Sequence, residues 1–212
     1  MTNTDSGAVS CPWLESAAAG EEPVFFSVNN KTFILRRMKA ADYPAVRALL
    51  PQVSRCYQQL QEPQLSQVLG LHTYIPFCCF AAAPDSPPPP PAAAAGAAAA
   101  AAGAAGAGAA GVTNGCAAKQ PACEGPLCGF AEVYVLPHLG RAADGRLERV
   151  IVAAELRGQG LGTAMCREVL RFSRLQLGLG RVDLTVEKEN AKHIYTKLGF
   201  EPVSTETLRL QN

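Results

Sequence analysis

Arg157-Gly158-Gln159-Gly160-Leu161-Gly162-Thr163 follows the apolar run Val150-Ile151-Val152, and Leu161, Met165, Val169 and Phe172 then recur at helical spacing. The order reads strand, turn, helix. Glycines let the turn curl tightly, and a helix starting there presents N–H groups that have no partner inside the helix. With the positive end of the helix dipole, those groups favour a bound diphosphate without burying a charged side chain. Arg167, Arg171 and Arg174 fall on the opposite face, and Gly178 and Gly180 mark the end of the helix,.

Three nucleotide-binding patterns compete for this turn. A P-loop closes its glycine stretch with Lys-Ser or Lys-Thr, and neither follows here,. A dinucleotide fingerprint needs Gly or Ala at its sixth position, which is Thr163 counted from Gly158 and Met165 counted from Gly160,. Asp183 could still imitate its ribose-binding acid,. The third pattern is Arg/Gln-x-x-Gly-x-Gly/Ala, met by Arg157, Gly160 and Gly162. Downstream, Glu189-Asn190-Ala191-Lys192-His193-Ile194-Tyr195-Thr196-Lys197-Leu198-Gly199-Phe200 supplies an Asn-Ala helix start, a tyrosine in the second turn and Lys-x-Gly-Phe. The two motifs, in this order, resemble the coenzyme A loop and the closing segment of the GNAT acetyltransferase superfamily. The resemblance covers roughly residues 31–80 and 127–212.

Composition bounds the rest. Residues 81–126 contain Pro87–Pro91 and alanine blocks broken by glycine, with few large apolar side chains. Such a stretch cannot bury enough surface to offset its ordering entropy, so a disordered low-complexity insertion is expected. Residues 1–22 are small and polar without periodicity and read as a flexible tail. Setting both aside leaves about 144 residues, the size of one domain, expected to run from 23 to 212 around the insertion,. The 48% hydrophobic content is inflated by alanine, and no run of about eighteen large apolar residues or leader-like start occurs,. A formal net charge of +1 gives no general drive toward nucleic acid or an acidic membrane,. A cytoplasmic protein with neither partner is the expectation. The eight cysteines include no CxxC pair, and His72, His138 and His193 share no ligand spacing, so reduced thiols and no metal are expected,.

Coarse elements follow. Lys31–Met38 reads as a strand, Asp42 and Pro44 open a helix, and a second helix around Cys56–Leu69 is interrupted by Pro63,. Tyr74–Ala82 and Leu127–Pro137 read as a hairpin whose tip carries the insertion, a mild cost because closure entropy grows logarithmically with length,. Leu147–Ala153, the helix after Gly160, Arg181–Val186, Asn190–Leu198 and a strand pair from Phe200 to Leu210 complete the chain. The fold class expected is α/β (α+β): a GNAT-type mixed, mostly antiparallel sheet flanked by helices, in the order β-α-α-β-β-β-α-β-α-β-β.

The resemblance implies acetyl transfer from acetyl-CoA, as co-substrate, to a small-molecule primary amine. It places the cofactor on Val150, Ile151, Val152, Arg157, Gly158, Gln159, Gly160, Leu161, Gly162, Thr163 and Asn190. The strand Val150-Ile151-Val152 would pair its backbone with the pantetheine arm, and Arg157 would add a charge-assisted contact. Tyr195 takes the role of general acid; Glu148 that of base, with Glu132 its rival. Phe33–Met38 with Asp42 and Tyr43, and Gly145-Arg146-Leu147-Glu148, resemble glucosamine-6-phosphate N-acetyltransferases. Arg181 and Arg209 would suit a sugar phosphate, although Arg149 and Thr185 stand where that branch carries aspartates. Protein, peptide or polyamine acetylation and a non-catalytic acyl-CoA-binding module are the alternatives, and the superfamily's habit of pairing C-terminal strands is compatible with a homodimer.

Overall fold

The computed structural model describes residues 12–15, 22–52, 58–83, 124–187, 189–205, 208 and 210. Asn29 and Asn30, both at positive φ (48° and 61°), form the two-residue turn that joins strands β1 (Val24–Val28) and β2 (Lys31–Arg37). Asparagine tolerates the left-handed conformation that such hairpin turns require. Strand β1 has no counterpart in the sequence reading, which begins its first strand at Lys31. Helix α2 (Tyr43–Leu49) and α3 (Glu62–Leu69) follow. Pro63 lies at the start of α3, where a missing N–H costs nothing, so it begins the helix rather than interrupting it,. The Cys56 end of the expected helix lies outside the described residues.

Strands β3 (Tyr74–Ala82) and β4 (Glu124–Leu136) pair antiparallel from Tyr74↔Tyr134 to Ala82↔Glu124. The hairpin therefore runs past the margins set by composition, and Ala81, Ala82 and Glu124–Pro126 are strand. Residues 84–123 lie outside the described set. At the hairpin's open end Glu124 accepts from Arg36 at 2.5 and 2.7 Å, and Arg36 also pairs with Asp42 and stacks 4.6 Å over the Phe80 ring.

β5 (Asp144–Val152), α4 (Leu161–Leu175), β6 (Arg181–Asp183) and α5 (Glu189–Lys197) complete the fold. The six strands lie in sequence order, all neighbours antiparallel except β5 and β6. Side chains alternate between two cores. Phe33, Leu35, Phe77, Cys79 and Ala131 pack with Met165 and Val169 of α4, whereas Ile34, Cys78, Phe80 and Phe130 pack with Val46 of α2. Gly129 allows α4 to lie close, since a Cβ there would come within 2.8 Å of the Met165 sulfur. A short helical turn, α1 (Pro12–Glu15), brings Trp13 against the α4-side core; the rest of the 1–22 tail, apart from residue 22, is outside the described residues.

The closing strand pair expected between Phe200 and Leu210 is not formed by the described residues there. Val203, Leu208 and Leu210 remain exposed. Alternating apolar residues become a strand only when a neighbouring edge pairs with them, and here none of the described elements does.

Candidate active site

Strand β5 is paired unequally on its two sides. Its partner β4 follows it from Asp144 to Val152, but β6 meets only Asp144, Gly145 and Arg146. From Leu147 to Val152 the second edge faces no described strand, so backbone groups there are open to an extended ligand arm. The same strand carries a bulge: Phe130 pairs with Ile151 and Glu132 with Glu148, leaving three β5 steps against two on β4,. Arg149, at φ +46°, absorbs the extra residue. Parity shifts in consequence, so Leu147 belongs to the α4-side core and Ile151 to the α2-side core.

The chain leaves β5 through Ala154–Leu156 and turns into α4 at Gly160, which takes φ +89°. No side chain caps this helix, and its first i→i−4 bond runs from the Ala164 N–H to the Gly160 carbonyl at 3.1 Å. The N–H groups of Leu161, Gly162 and Thr163 therefore precede the ladder, as an anion-binding helix start requires. Val152 and Ile194 flank Gly162, where a Cβ would lie 3.4 and 3.8 Å from their methyls. The loop is braced from outside: Asn29 Nδ2 donates to the Gln159 carbonyl (3.0 Å), and Gln159 Nε2 to that of Glu155 (2.9 Å). Arg157 turns back. Its Nε donates to the Val152 carbonyl at 2.9 Å and its Nη2 to Gln52 Oε1, so part of its fork fixes the loop against β5. These features fit a diphosphate with an extended arm lying between β5 and β6.

Tyr195 is half-buried in α5, packs against the α4-side core and meets Phe200 edge-on at 5.9 Å. Burial, with the Cys166 thiol and the Glu148 carboxylate nearby, pushes its phenol up to about 12, so it stays protonated across the working range. Asn190 stands in the first turn of α5, with its side chain outside what is described. Arg209 lies outside the described residues altogether. Arg181 joins a separate cluster at the start of β5. There buried Asp144 accepts from Arg141 (2.7 and 2.8 Å) and meets His138 Nε2 (2.9 Å) and Arg181 (3.1 Å). Arg181 is thus brought together with Asp144 and Asp183, not with Glu148.

On the α2 side of the sheet, Glu148 and Glu132 face each other across β5 and β4. Glu148, 34% exposed, pairs with Arg146, whose Nη2 donates to Thr185 at 2.7 Å. Glu132 is only 2% exposed and is held by three donors: Tyr74 OH (2.9 Å), Tyr134 OH (3.4 Å) and Arg149 Nη1 (3.3 Å). Burial and this carboxylate push the Tyr74 phenol well above its ordinary range and Tyr134 up to about 12, so both remain donors. A cavity of 380 Å³ opens beside them, lined among others by Tyr43, Arg47, Leu65, Tyr74, Glu132 and Arg149. Arg47, Tyr74, Tyr134 and Arg149 were not singled out as site residues from sequence. Tyr74, Tyr134 and Arg149 meet through sheet register and the bulge, and Arg47 joins them from α2, none of which leaves a local signal.

Residues 113–200 match the model of a family described as Acetyltransferase (GNAT) family. Spermidine N(1)-acetyltransferase of Escherichia coli K12 is 35% identical over 80 residues, which is 37% of this chain and 41% of that protein. The chain thus matches about two fifths of the length of that curated relative. Among solved structures, glucosamine-6-phosphate N-acetyltransferase from Arabidopsis thaliana superposes with a TM-score of 0.56 at 13% identity, covering 85% of this chain and 99% of that one. A Trypanosoma brucei acetyltransferase gives 0.55 at 20% identity over 85% and 99%. At those identities the likeness is one of fold. Residues 113–200, which carry the loop and the half-open edge of β5, are thus similar to the acetyltransferase (GNAT) family.

Proposed function

We propose that the protein transfers an acetyl group from acetyl-CoA to a primary amine. The observation that carries this reading is the edge of β5 left open from Leu147 to Val152, ending at a helix whose first N–H groups have no side-chain cap. Acetyl-CoA supplies the acyl carbon as an activated thioester. Main-chain N–H groups between Gly158 and Thr163 hold its diphosphate, and Val150-Ile151-Val152 offers backbone to the arm. The acceptor approaches from the α2 side, where Glu148 lies half-exposed on β5. Its nitrogen attacks the thioester carbonyl carbon; the C–N bond forms as the C–S bond breaks. The proton leaving nitrogen passes to water within reach of Glu148, and Tyr195 donates a hydrogen bond and then a proton to the departing sulfur. Much of the acceleration is proximity, because both reactants arrive oriented.

Glucosamine 6-phosphate is the first acceptor to try, supported by the fold neighbour of that activity and by the opening strand and Gly145–Glu148 turn. A polyamine is the second, supported by the spermidine-acetylating relative. Thiol release from acetyl-CoA, followed over a panel of amino sugars, polyamines, amino acids and peptides, tests the reading. Amine-dependent release is the expected result. Acetyl-CoA binding without release to any amine leaves a binding module, and no binding removes the reading.

A further inference from the structure

Resting on the assignment of the α2-side cavity as the acceptor pocket, we infer that the acceptor is an anionic amine: a primary amine carrying a carboxylate or phosphate, whose negative group is read by Arg47. The charge inventory of the cavity carries this. Glu132 is the single acidic side chain among the described residues lining it, and that carboxylate is already engaged by Arg149 and two phenols. Arg149 and Glu132 cancel. Arg47, in the last turn of α2, is half-buried on the cavity wall and makes no ion pair or hydrogen bond among the described residues. The pocket therefore has a surplus positive charge beside an apolar wall of Val46, Leu50 and Leu65.

A polyamine brings further positive charges into that space, where, among the described residues, no uncommitted carboxylate lines the cavity to receive them and the unpaired Arg47 guanidinium repels them. Partial burial strengthens the repulsion, because the effective dielectric is far below that of water. A carboxylate or phosphate instead gains a charge-assisted, two-pronged contact with the guanidinium. Glu148 and Glu132 face each other across the β4–β5 pair, so the reacting nitrogen sits toward the β5 edge and the anion toward α2.

The test compares matched acceptors on the full chain by thiol release: glucosamine 6-phosphate against glucosamine, glutamate against glutamine, and spermidine alone. The expected result is a kcat/KM at least about tenfold higher for the anionic member of a pair. The pair showing the larger preference names the anion. Arg47→Met should raise the KM of the preferred acceptor about 10- to 100-fold with kcat changed little, and Arg47→Lys should recover part of it. An unchanged KM for acetyl-CoA certifies that the variants are folded. Spermidine or neutral amines turned over as well as the anionic ones, or an acceptor KM indifferent to Arg47→Met, overturn the inference while leaving acetyl transfer intact. No transfer to any amine removes both.

Discussion

Glu132 and Glu148 stand directly opposite each other on adjacent strands, yet they are different chemical objects. Glu132 is sealed in and occupied by two phenols and a guanidinium; Glu148 keeps a third of its surface in solvent and has one arginine beside it. A carboxylate fully committed to donors organises a pocket, whereas one with free lone pairs and water at hand can drain a proton. The difference comes from the bulge at Arg149, which brings that guanidinium to Glu132 and leaves Glu148 beside the open edge. Position along a strand therefore says less about role than the donors that arrive from elsewhere.

The sharpest way to break the comparison is Glu148→Gln. With Glu148 as the proton acceptor, kcat near neutral pH should fall by about 100-fold or more, and the deficit should shrink at alkaline pH, where the amine has shed its own proton. A pH-independent deficit would assign Glu148 to placement instead. Glu132→Ala should act on the fold: it strands Arg149, Tyr74 and Tyr134 and should lower unfolding free energy by about 3 kcal/mol, measured by urea denaturation. A variant as stable as the parent would show that the three donors find water equally well. Tyr195→Phe tests the group that feels the Glu148 charge from the other side of the sheet. A loss of about tenfold in kcat is expected, and the parent should show no descending limb below about pH 11, because its phenol is held up to about 12,.

Asp144 is the smallest lever and a useful control. The Arg141 fork, with His138 and Arg181, holds its carboxyl down to about 2, below the ordinary value near 3.9,. A depressed folded-state value contributes stability that is complete above about pH 4 and is lost as pH falls toward 2. Thermal melts of Asp144→Asn should therefore show an acid-side slope shallower by about one proton, with turnover at neutral pH little affected. An identical slope would mean the cluster is equally formed in the unfolded chain.

What could be read locally was read. The glycine turn, the amphipathic stretch Leu161–Phe172 and the helix carrying Tyr195 are each specified within a few turns of chain, and all three form where spacing placed them. The hairpin joining Tyr74–Ala82 to the strand ending at Leu136 was also visible through the long insertion. Elsewhere local signals misled. Asn29-Asn30 is a hairpin turn that announces β1, Pro63 opens a helix instead of breaking one, and the apolar residues after Phe200 lack a described partner edge.

The residues alone settle the glycine turn and the succession of elements from Lys31 to Lys197, because both depend on backbone freedom and on periodicity within one segment,. Tertiary structure alone decides which carboxylate is free, where Arg181 goes and why Arg149 matters. Those outcomes hang on which strands become neighbours, on a one-residue bulge in their register, and on where β6 stops following β5. Cross-strand register brings together groups far apart in the chain, and no short stretch of sequence encodes it.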